Sequence, residues 1–208
     1  MNAEQFLTKM NNLSAICPQI TQFPDYDAIV QGLKEEIALK TQKSAGRASR
    51  FKAALRFSKR AKKEMADRMP GIAGAFIGEN GAQYITNSHV AVRYKIPFEG
   101  LVNAEEGNHP NMDRILDVYD SSLPVTLPTL AELKTNLKLD KAEGKGHSHT
   151  EIDGVPFSTD YLIQLSEMDE PTEAYFSAKG KFPCLVVFGE GAQGIVCPVR
   201  ITKGGQEI

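Results

Sequence analysis

Five cations, Lys52, Arg56, Lys59, Arg60 and Lys63, recur at helical spacing. On an α-helix they collect within about 100° of arc. Such a stripe neutralises anions; it does not break bonds. A nucleic acid duplex carries roughly one charge per 1.7 Å of axis and is the obvious polyanion. An acidic protein surface or solvent would satisfy the same stripe. The opposite face of the segment Arg47–Lys63 holds Phe51, Ala54, Leu55, Phe57 and Ala61, with Met65 just beyond it, so one side can pack on a core while the other presents charge. The background sharpens the contrast. From Ile37 to Lys63 there are ten Lys or Arg and no acidic residue, in a chain of net charge −2. A second constellation, His147, His149 and Glu151, has residue types that could hold a metal for a hydrolase. It alternates in a glycine-rich stretch with no further ligand nearby, and no nucleophile or acid–base pair accompanies it. The expectation is therefore a solvated loop, with no metal, no cofactor, no catalytic residue and no enzymatic activity.

The chain around these residues has 208 positions, 41% of them hydrophobic and 24% charged, enough for one large domain or a domain with an appendage. No apolar run approaches the roughly 20 residues that span a bilayer, and no membrane partner is expected. The N-terminus lacks the basic and continuous apolar regions of a secretory signal. Cys184 and Cys197 sit in apolar strand patterns and read as small core residues. Together with Cys17 they make three widely spaced cysteines, which suits a reducing cytoplasm. No CxxC, phosphate-binding loop or dinucleotide-binding glycine pattern occurs.

Two helices are expected in residues 1–42. One carries Phe6, Leu7, Met10 and Leu13; the other carries Tyr26, Ile29, Val30, Leu33 and Ile37 after a cap at Asp25 or Asp27. Ser44, Ala45 and Gly46 break the pattern before the basic helix. The period then changes to strands at Ile72–Ile77, Ala82–Thr86 and His89–Ile96, with a hairpin at Asn80-Gly81 and a turn at Asn87-Ser88. Residues 99–150 carry a helix at Leu127–Lys138 with Thr129 as its cap. A strand at Glu151–Phe157 leads, through Ser158 as cap, into a helix with Tyr161, Leu162, Leu165 and Met168 on its buried side. Strands at Glu173–Ala178, Phe182–Phe188 and Ala192–Ile201 follow, divided by turns at 179–181 and 189–191.

Helix then meander thus occurs twice, and with a first strand placed around Ser44–Ser49 each half becomes βαβββ. The run from Pro156 to Ile201, with Phe157 leading into a helix bearing Tyr161-Leu162 and a closing Pro198-Val199-Arg200 strand, resembles the C-terminal half of a DNA sliding clamp, the bacterial DNA polymerase III beta subunit. The stretch Gly71–Pro97 is similar to the clamp meander, with Thr86-Asn87-Ser88 where the family usually has Thr-Asp-Gly. The two blocks cover about half of the chain.

The resemblance implies an α+β fold, a doubled βαβββ clamp-type (processivity-fold) domain with antiparallel sheets and two helices on one side. This domain would occupy 44–208, with an insertion at about 99–150 and an N-terminal helical extension at 1–43. It implies a non-catalytic replication protein binding duplex DNA without sequence specificity, through Lys52, Arg56, Lys59, Arg60 and Lys63. DNA polymerase or other replication proteins would be clients, docking a peptide near Cys197, Pro198, Val199 and Arg200. The clamp family assembles six such domains in a ring, so a single domain would need a homo-oligomer. Against this, the second helix is expected to expose Asp160, Glu167, Asp169 and Glu170, which repel DNA. A clamp-fold adaptor or scaffold without DNA is the alternative, in which the basic helix of one copy pairs with the acidic helix of another.

Overall fold

The computed structural model describes residues 1–107, 109–177 and 183–200, and the backbone of 202–203 and 206–207. The chain is α+β, built on a six-stranded antiparallel sheet. Strands β1 (Ala75–Ile77), β2 (Gln83–Thr86) and β3 (Val90–Tyr94) form one meander; β6 (Glu173–Phe176), β7 (Leu185–Phe188) and β8 (Ala192–Val196) form the other. Their third strands pair, giving the order β1-β2-β3-β8-β7-β6, with Val92 opposite Gly194 at the middle of the joint. Each meander is thus a mirror in order of the other.

Helices cover one face. Helix α1 (Ala3–Ile16) packs on α2 (Tyr26–Ser44), α2 on α3 (Ala48–Met65), α3 on α6 (Thr159–Met168), and α6 on α5 (Leu130–Ala142). Between this layer and the sheet lies the main core, including Phe51, Phe57, Ile85, Val92, Phe157, Leu165 and Leu185. Leu165 sits directly over Gly194, where any Cβ would collide with it. The missing side chain lets α6 approach the sheet.

The stretch after the first meander, expected as an insertion, is a strap. It pairs with the outer edge of β1 at Asn103 and crosses the face away from the helices. There Met112 and Leu116, the latter in the short helix α4 (Asp113–Leu116), bury Phe76, Tyr84, Val186 and Ile195. Arg93 holds it through Asp113 at 2.7 Å and Asp117 at 2.9 Å. The strap then bonds the outer edge of β6, with Val125 N–H donating to the Ala174 carbonyl at 3.0 Å. Both sheet edges are occupied by the chain itself, which blunts edge-to-edge association.

Several expectations change. Residues 44–49 form no strand. Gly46, at φ 71°, closes α2, with Arg47 N–H reaching the Gln42 carbonyl and Gly46 N–H the Lys43 carbonyl. This left-handed C-terminal motif feeds straight into α3. The single strand expected at Glu151–Phe157 is a hairpin, β4 (His149–Ile152) and β5 (Val155–Ser158), turning at Asp153 and Gly154 with φ 48° and 79°. Asp-Gly with both residues at positive φ is a strong hairpin signal that alternation alone hides. Ser158 precedes α6 without a side-chain capping bond, whereas Thr129 caps α5 in a reciprocal box with Glu132. The Asn80-Gly81 hairpin forms with only Gly81 at positive φ. The turn at 179–181 lies outside the described residues. Beyond β8 the backbone pairs β9 (Thr202–Lys203) with β10 (Gln206–Glu207).

Phe57 is 1% exposed, so Phe57→Ala is expected to cost about 3–5 kcal/mol. In a chain of this size that lowers the thermal midpoint by roughly 2–4 °C per kcal/mol. Lys52→Ala on the exposed side should stay within about 0.5 kcal/mol; thermal melts of the two variants check the assignment of faces.

Candidate nucleic-acid interface

The basic helix forms where periodicity places it, at Ala48–Met65. Its buried side is Phe51, Ala53, Ala54, Phe57, Ser58, Ala61 and Met65, with Leu55 half-buried. The cations point away from the sheet, into the helix layer and solvent. The tertiary fold divides them into two groups.

Three of the five have carboxylates of the same chain. Arg56 meets Glu167 of α6 at 2.6 Å, and Lys134 of α5 meets the same carboxylate at 2.7 Å. Lys59 meets Glu35 of α2 at 2.8 Å. Arg60 donates from Nε to Glu64 at 2.6 Å and lies over the Tyr161 ring at 4.9 Å. Lys52 and Lys63 are exposed and make no ion pair among the described residues. About 16 Å of helix axis separates them, nearly in line. Lys134 of α5 adds charge to the same layer; α5 begins about 65 residues after α3 ends, and no local spacing could have signalled it, while Lys62 pairs with Glu105 of the strap at 3.7 Å.

Arg60 is tied into a cluster that sequence reading missed. Asn87, 1% exposed, donates from Nδ2 to Glu64 at 2.6 Å and to the Tyr161 hydroxyl at 3.1 Å. Its Oδ1 accepts the backbone N–H groups of His89 and Val90, which holds the β2–β3 turn and Ser88 at φ 73°. One side chain therefore joins the turn, α3 and α6. It also gives a physical reason for Asn where the resembled family has Asp: an aspartate would set a second carboxylate against Glu64, with no N–H to donate.

The acidic helix is less repulsive than its composition implies. Asp169 is 6% exposed; it pairs with Arg50 at 2.8 Å and accepts the N–H groups of Gly191 at 2.7 Å and Ala192 at 3.0 Å. It is a clasp between α3, α6 and the β7–β8 turn, so the expectation that it is exposed is corrected. Glu167 is shared by two cations. Asp160 and Glu170 stay exposed.

Burial pushes the Glu167 carboxyl up, but Lys134 and Arg56 outweigh it and hold it below the ordinary 4.5. Burial acts the same way on Glu64, and the bonds from Arg60 and Asn87 again win, with the same sign.

Cys197, Pro198 and Val199 are half-buried and Arg200 is exposed. They leave β8 alongside the β4–β5 hairpin, with Val199 N–H donating to the Pro156 carbonyl at 2.9 Å. A depression of about 630 Å³ lies elsewhere, between residues 125–130 and the end of α6 with β6. His149 and Glu151 fall on the exposed face of β4, and among the described residues no three His, Cys, Asp or Glu side chains group to hold a metal. Among them, too, no helix is long and apolar enough to cross a membrane.

Two outcomes are expected. Asn87→Asp should destabilise by about 1–3 kcal/mol, read by urea unfolding, because it removes two donors from a buried site. Because both glutamates are depressed on folding, the stability they contribute is fully present above about pH 4.5 and is lost as pH falls through their lower folded values. The double variant Glu64→Gln, Glu167→Gln should flatten the acid limb of a pH–stability profile. Comparison of the chain with family models, with curated proteins and with solved structures finds no match.

Proposed function

We propose that the protein is a non-catalytic, clamp-like DNA-associated protein whose helix-lined face contacts duplex DNA through α3 without reading sequence. The observation that carries the reading is the side-by-side pair α3 and α6 on one face of a sheet made from two meanders joined at β3–β8. The doubled architecture that motivates the resemblance asks for this pairing.

The ion pairs on α3 decide how strong the contact can be. The Arg56 and Lys59 side chains are 63% and 52% exposed, but the carboxylates they meet, Glu167 and Glu35, are only 26% and 18% exposed, so the roughly 0–1 kcal/mol of a fully exposed pair is a floor for the cost of parting them. Exchange of the carboxylate for a phosphate is easier at Arg56, because Lys134 stays on Glu167, than at Lys59, whose departure leaves the half-buried Glu35 with only the Gln31 amide. Arg60 is held by Glu64 and Tyr161 and serves packing first. Lys52 and Lys63 are the cations ready for phosphate, so binding is expected to be weak, with a salt dependence set by a small number of phosphate contacts.

A second reading, a protein–protein adaptor of the same fold, is favoured by exposed apolar residues at the N-terminal end: Leu13, Ile16 and Phe23 at 45%, 83% and 67%. The version in which α3 of one copy pairs with α6 of another loses its motive, since Arg56 and Glu167 meet within one chain.

Fluorescence anisotropy with a labelled duplex at several salt concentrations tests the DNA reading. Lys52→Glu with Lys63→Glu is expected to weaken binding and reduce the log–log salt slope by about 1.8, near 0.9 per lost phosphate contact. Affinity untouched by these reversals would sink it.

A further inference from the structure

Leu185 of β7 and Val196 of β8 are Cα partners. One step outward along both strands stand Cys184 and Cys197, the next opposed pair. Neither is the core residue that its apolar surroundings suggested: both are half-buried. Side chains alternate along a strand. Leu185 and Val196 face the helices, so the two cysteines face the other side, where Cys184 packs against the outer cluster. The Cys184 thiol donates to Cys197 Sγ at 3.8 Å.

Their backbones are pinned to other partners. Cys197 N–H donates to the His89 carbonyl at 2.8 Å, and Cys184 N–H donates to Ser177 Oγ at 2.9 Å while its carbonyl accepts Ser177 N–H at 2.8 Å. The two cysteines thus stand opposite without exchanging ladder bonds. Such pairs have Cα atoms about 4.5 Å apart, inside the range a disulfide spans.

We propose that Cys184 and Cys197 form an oxidisable dithiol site, converted by a peroxide to a cross-strand disulfide that ties the end of β7 to the end of β8. The Cys197 thiolate attacks one peroxide oxygen; an S–O bond forms, the O–O bond breaks, and the leaving hydroxide takes a proton. The Cys184 sulfur, giving up its proton, then attacks the Cys197 sulfur. The S–S bond forms as the S–O bond breaks and a second water leaves. Two thiols lose two electrons in total, and one hydrogen peroxide becomes two waters. The roles follow from the contact: the bond from Cys184 holds the Cys197 thiol down to about 7, and raises that of Cys184. The thiol of lower pKa is the attacker near neutral pH. The bridge would fix the point from which residues 198–200 leave the sheet.

The test is oxidation of the folded full chain with hydrogen peroxide, quenched by alkylation and followed by non-reducing peptide mapping. A Cys17→Ser background removes the exposed third thiol. The expected product is a Cys184–Cys197 linked peptide, with a loss of two hydrogens in intact mass, reversed by a thiol reductant. In Cys184→Ser, the same treatment should leave Cys197 as a sulfenic acid, trapped by dimedone, or over-oxidised. Two free alkylatable thiols after peroxide treatment, or over-oxidation of Cys197 with Cys184 present and no cross-link, would overturn the proposal. Circular dichroism of each variant before oxidation identifies any that fails to fold. For such a variant, the linked peptide in the Cys17→Ser protein alone decides.

Discussion

Pairing of β3 with β8, from Val90 opposite Val196 to Tyr94 opposite Ala192, makes one six-stranded sheet from two three-stranded meanders. Joined, they give a platform on which α3 and α6 bury their apolar sides together. Gly194 at the joint leaves room for Leu165, so α6 lies close on the sheet beside α3, where Arg56 meets Glu167. The ion pairs of the helix layer thus sit on a platform made by backbone pairing on the other side of the core.

That layer spends much of its charge internally. Glu35, Glu64 and Glu167 each take a cation of α3, and Asp169 takes Arg50. What these pairs add to stability is modest where they are exposed. Their larger effect is on register, because the buried Asn87 and the half-buried Tyr161 lock the β2–β3 turn, α3 and α6 into one arrangement through a hydrogen-bonded cluster. A face held this way offers Lys52 and Lys63, which make no ion pair among the described residues, and Arg56, whose carboxylate keeps Lys134, without loss of its geometry. The strap from Asn103 to Val125 gives the opposite face and both sheet edges a cover of their own. The helix-lined face is therefore where the clamp-like reading puts its contacts, and strand addition at either edge is obstructed.

Local patterns in the sequence determined a good deal. Phe51, Ala54, Phe57 and Ala61 at helical spacing fix the basic helix and its buried side, since 3.6-residue periodicity leaves no other face for them. Asn80-Gly81 and the Asn87-Ser88 turn set the first meander, and Thr129 with Glu132 sets the start of α5 through a bond pattern that needs only four consecutive residues. The helix-then-meander repeat, and with it the α+β class, is legible for the same reason: each of its signals is short-range. The break read at Ser44–Gly46 is a Schellman-type close and not the start of a strand, and the missed Asp153-Gly154 hairpin was also written locally but lost to a competing strand pattern. What only the tertiary structure decided depends on residues far apart in the chain. The charge of a side chain is visible in sequence, but its availability depends on the neighbour it meets: Lys59 on Glu35, Arg56 on Glu167, Asp169 on Arg50 and two backbone amides. Cys184 and Cys197 look like isolated core positions until the β7–β8 register sets them face to face. Contact across a fold is a matter of register and packing, and no spacing rule along the chain encodes it.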